Sequence, residues 1–116
     1  MLLRASGLSQ NRDYDLNAVT GATVADAGVP HGRSLMRFAE AVLDEDEAAL
    51  SHARTELLRA LGPEGLVDAA AVVGLFNAID RVADATGIPL EAEKAKASAD
   101  FRAALCLDRF AVGARS

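Results

Sequence analysis

Between Ala69 and Ile79 the chain reads AAAVVGLFNAI, and only Asn77 is polar. This run lies inside a longer stretch, Pro63 to Pro89, which opens on a proline and closes on Thr86-Gly87. Proline suits the first turn of a helix and glycine its end, so the stretch predicts one long helix. A helix apolar on nearly every side has to be covered on nearly every side. The rest of the chain is therefore expected to pack around it.

A chain of 116 residues is enough for one domain and too short for two ordinary ones. Alanine supplies much of its apolar content and tryptophan is absent, which points to closely approaching helices rather than an aromatic core. The formal charge is −5, with 12 basic and 17 acidic residues. No basic patch stands out, so neither nucleic acid nor an anionic membrane is expected as a partner. The longest apolar run, Ala69 to Phe76, falls far short of the roughly 20 residues of a membrane helix. With no signal peptide visible either, a cytoplasmic protein is the expectation.

Turn-forming residues (Asp13, Asp15, Asn17, Gly21, Gly28, Pro30 and Gly32) punctuate residues 1–33. These residues are expected to form an irregular N-terminal arm. Beyond it, apolar periods and stop signals predict four main helices, near 34–44, 46–61, 64–86 and 90–109. The expected fold class is thus all-α, a single-domain helical bundle. Ser34 is placed to cap the first helix, whose apolar face would hold Leu35, Phe38, Ala39 and Val42. Asp44 or Asp46 could cap the second, which carries Leu50, Ala53, Leu57, Leu58 and Leu61 on one side. Gly62 would end it. In the third helix, Ala70 and Gly74 would let another helix approach closely. The fourth would bury Ala97, Phe101, Ala104 and Leu105.

The chemistry-bearing residues are few. His52 and Glu56 stand four apart, hence side by side on a helix. Such a pair can position an imidazole for proton transfer, although two ligands alone do not make a metal site, and a plain surface pair explains the spacing as well. His31 lies in the turn-like GVPHG, where it reads either as an exposed loop histidine or as an acid–base group at a cleft mouth. Cys106 is the one cysteine, so no disulfide forms within the chain. Its apolar neighbours suggest a small buried hydrophobe. Asp44-Glu45-Asp46-Glu47 lacks the alternating ligands and glycine of a calcium loop. No P-loop or dinucleotide fingerprint is present, and neither a metal nor a cofactor is expected.

Three segments of residues 34–112, SLMRFAEAV, LGPEGLVDAAAVVGLFNAIDRVADATGIPLE and DFRAALCLDRFA, resemble the alkylhydroperoxidase-like superfamily, which includes the carboxymuconolactone decarboxylases. The cluster Phe76-Asn77, Asp80-Arg81 and Ala83 to Pro89 carries most of the likeness. The resemblance implies an all-helical domain over 34–112 that assembles through helix faces into dimers, trimers or hexamers. Peroxidatic members use a Cys-x-x-Cys pair followed by a histidine, with a glutamate upstream. Here Cys106 stands alone and no histidine follows it, so no catalytic residue of the family carries over.

Two functions follow as expectations. The favoured one is a non-peroxidatic helical protein acting through self-association, as a homodimer, and through binding of a small apolar ligand or a partner. The Ala70–Gly74 ridge would meet its symmetry mate. The alternative is an enzyme that uses acid–base residues, His52 and Glu56 with His31, in place of a dithiol.

Overall fold

A computed structural model describes residues 2–20 and 26–110. They form five α-helices: α1 (Leu2–Gln10), α2 (Gly32–Leu43), α3 (Glu47–Thr86), α4 (Ala92–Ala97) and α5 (Ala99–Ala104). Two 3-10 turns, Leu16–Thr20 and Leu107–Phe110, complete the regular structure, and no strand occurs among the described residues. The all-α expectation holds. The N-terminal arm is more regular than its sequence suggested, since it contains α1 and the first 3-10 turn.

The start of α2 is built from the loop before it. The Asp26 carboxylate accepts from the Arg33 N–H at 2.9 Å, which satisfies one of the free donors of the first turn. Gly32 lies so close to Asp26 that any Cβ there would collide with the Asp26 carbonyl. Ser34 is consequently inside the helix, not at its cap. The cap position belongs to His31, which is left-handed at φ 57° and ψ 20° and contributes no side-chain hydrogen bond. The α2–α3 junction follows its sequence more closely. Asp46 accepts from the N–H groups of Ala48 and Ala49 at 2.9 and 3.1 Å, an N-cap.

Helix α3 is bent into two arms, 47–61 and 63–86. The bend is Gly62, at φ 75° and ψ 179°, a region essentially closed to residues with a Cβ. Pro63 restarts the helix, where its missing N–H costs nothing. At the far end Gly87 adopts φ 64°, and the N–H groups of Gly87 and Ile88 both reach the Ala83 carbonyl. The fourth predicted helix is instead two short ones. The Ser98 hydroxyl donates to the Lys94 carbonyl at 2.6 Å, and Ser98 itself, at φ −111° and ψ 0°, leaves the helical region. Cys106 follows α5 at φ 53° and is exposed, contrary to the buried position expected for it.

The core lies between α2 and the first arm of α3. Phe38, Ala41, Ala53 and Leu57 are buried, with Leu35, Leu50, Leu61, Leu66 and Ala69 packed around them. Val42 and Leu58, expected inside, are partly exposed. The larger correction concerns the second arm. Its first turns touch α2, but Val67, Val72, Leu75, Phe76, Ile79 and Val82 remain between 51 and 66% exposed. No other described element packs on α3 as α2 does. Gly74 faces open space, with nothing within 4 Å of where its Cβ would be. The apolar stretch is a projecting arm and not the centre of the fold. No helix among the described residues is long and apolar enough to cross a membrane.

Candidate functional site

The chain presents two candidate surfaces, one polar and one apolar. The polar one is where α2 meets the first arm of α3. His52 and Glu56 stand one turn apart there, as their spacing implies. Glu56 is tied across to α2: the Ser34 hydroxyl donates to its Oε1 at 2.7 Å, and Arg37 Nη1 lies 3.8 Å from its Oε2. Ser34 and Arg37 are one turn apart on α2, so both reach the same carboxylate.

The Ser34 hydrogen bond holds the Glu56 carboxyl below its ordinary pKa. Burial opposes that hydrogen bond, and the nearby Arg37, His52 and Arg33 add smaller effects in the lowering direction. Glu56 is thus a fixed anion that pins two helices and a weakened proton acceptor. A carboxyl whose pKa is lower in the folded chain stabilises the fold above the usual carboxylate range, and this contribution is lost as the pH falls through that range. Glu56→Gln should therefore lower the melting temperature near neutral pH. The gap to the parent should close in acid. Thermal melts across pH check this; a gap that stays constant into acid would assign the loss to something other than the charge.

His52 borders two open grooves. One, of about 910 Å³, also holds Ser34, Ser51, Thr55, Glu56 and Arg59. The other, of about 400 Å³, includes Arg37, Glu40 and Asp44. Neither His31 nor Cys106 lines either groove. Among the described residues no group of three His, Cys, Asp or Glu side chains could hold a metal ion. Sequence reasoning missed Ser34 and Arg37 as partners of Glu56. Their one-turn spacing was visible, but the register between helices that aims them at Glu56 was not.

The second surface is apolar. A groove of about 520 Å³ runs between α2 and the start of the second arm, lined by Leu35, Met36, Phe38, Leu61, Val72 and Val73 among others. It continues into the exposed side chains of Leu75, Phe76, Ile79 and Val82. Asp68 is the charged residue in its lining. The chain matches no family model, no curated protein and no solved structure.

Proposed function

We propose that this chain is a self-associating helical module of the alkylhydroperoxidase-like type, without dithiol peroxidase chemistry, working as a homodimer in the cytoplasm. The observation that supports this most is the second arm of α3. Six large apolar side chains on it, Val67, Val72, Leu75, Phe76, Ile79 and Val82, are more than half exposed. Each apolar Å² left in water forgoes roughly 25 cal/mol, and a monomer seldom keeps a contiguous patch beyond a few hundred Å². A helix end that projects from its body is also marginal alone, because helical stability in proteins comes mostly from packing. A second copy supplies a matching face without any further partner, since a two-fold contact needs only one self-complementary patch. The groove beside α2 has the size of a small-ligand pocket, but it is shallow, and a side chain of the second copy fits it as well.

Sedimentation equilibrium over a wide concentration range tests this. The mean mass should rise from 12.1 kDa toward twice that value. A mass fixed at one chain up to high micromolar concentration rejects the proposal.

The chemistry points the same way. A dithiol cycle needs one thiol to attack and a second to resolve the product, and Cys106 is alone in the chain. Peroxide consumption with a dithiol reductant should be the same for the parent and for Cys106→Ser. Robust turnover lost in the variant would show that two chains share the chemistry through an intersubunit thiol pair.

A further inference from the structure

We infer that the free edge of the second arm is a coiled-coil seam that pairs antiparallel with the same seam of a second copy. The inference rests on the self-association reading. Its starting point is spacing. Val72, Leu75, Ile79, Val82 and Thr86 follow one another at intervals of three, four, three and four residues, which is the heptad pattern of a two-helix seam. All five are exposed in the single chain. At its N-terminal end Val72 lines the groove between α2 and the arm, so the seam begins at that groove and runs outward along the arm. Ala71, Ala78 and Ala85 recur at every seventh position along one flank of the seam. Small side chains there let a second helix lie close.

Direction follows from charge and from the groove. Continued one step toward the N-terminus, the seam meets Asp68. A parallel, in-register pair would set Asp68 against its own symmetry mate beside an apolar interface, and like charges so placed repel. An antiparallel pair that matches Val72 with Val82 and Leu75 with Ile79 sets Asp68 opposite Thr86. The two carboxylates then lie at opposite ends of the seam, where water reaches them. The same register carries the end of the partner's arm, with its exposed Ile88 and Leu90, past the groove between α2 and α3. A seam of two helices alone is narrow against the roughly 800 Å² that a stable interface hides on each partner. The antiparallel arrangement adds the groove to it, and the parallel one leaves the groove uncovered.

The test uses spin labels on the full chain in a Cys106→Ser background. A label at Thr86→Cys should lie about 27 Å from its mate along the paired axes, at roughly 1.5 Å per residue. A label at Val67→Cys, off the seam, should give at least about 30 Å by the same rise. Side-by-side labels closer than roughly 12 Å at Thr86, about one interhelical distance, would mean a parallel pair and overturn the inference. Gly74→Leu gives a second readout, because Gly74 lies about a third of a turn around the helix from the seam. Association should be unchanged in that variant. A tenfold or greater loss would move the contact to the Ala70–Gly74 ridge and also overturn the seam. A parent that sediments as a single chain refutes the self-association reading itself; a dimer with the wrong distances refutes only the seam.

Discussion

Replacing Leu57 by alanine should destabilise the fold by about 2–5 kcal/mol, the range for a large-to-small change in a packed core. Among the described residues Leu57 is the one fully buried large side chain, at 0% exposure. It stands between Phe38 and Ala41 of α2 and Ala53 of its own helix. Removing it leaves a cavity at the point where α2 meets α3, and among the described residues few others are buried to compensate. The expected result is a fall in the midpoint of denaturant unfolding with little change in slope. Leu58, its neighbour in sequence, is 43% exposed and should tolerate the same change with a much smaller loss. Equal costs for Leu57→Ala and Leu58→Ala would mean that the core does not lie between α2 and the first arm of α3.

The second large effect is expected on association. Ile79→Asp places a carboxylate in the middle of the exposed apolar strip, and two-fold symmetry places it there twice. An unpaired charge buried at an interface is among the costlier changes a contact can suffer. The dimer should weaken by at least about 100-fold, which is roughly 3 kcal/mol. The monomer itself should be little affected, because Ile79 is 51% exposed in the single chain. That separation is the useful feature. A variant that unfolds would show that Ile79 supports the monomer's own core. A variant that still dimerises with the parent's affinity would place the contact elsewhere.

Much of the fold was legible where local chemistry decides it. The Asp46 cap, the stop at Gly87 and the break at Gly62-Pro63 follow from what aspartate, glycine and proline do to a backbone. The apolar faces of α2 and the first arm of α3 were recognised within one or two positions; Val42 and Leu58 were assigned inward and Ala41 was not. The rest depended on tertiary geometry. The period of residues 90–109 runs on through Ser98, yet its hydroxyl bonds back to Lys94 and the helix breaks. Helix α1 carries Gly7, a poor helix former, but Gly7 is buried, where a Cβ would press on Tyr14. The pairing of His52 with Glu56 was readable from spacing. The partners Ser34 and Arg37 were not, because nothing local sets the register between two helices. The apolar character of residues 66–82 was equally plain, but not how little of it one chain can cover.

The claim that the second arm finds its cover in another copy is tested most directly by amide hydrogen exchange, followed residue by residue at low and at high micromolar concentration. In a single chain the amides of 74–86 should open locally with little cost, since all of these residues but Asn77 and Ala83 are exposed. Pairing should close them, so their protection should rise with concentration by mass action. The amides of 50–57, in the core shared with α2, should change far less. Protection of 74–86 that is high already in the dilute chain, and independent of concentration, would mean that the arm is covered within a single chain.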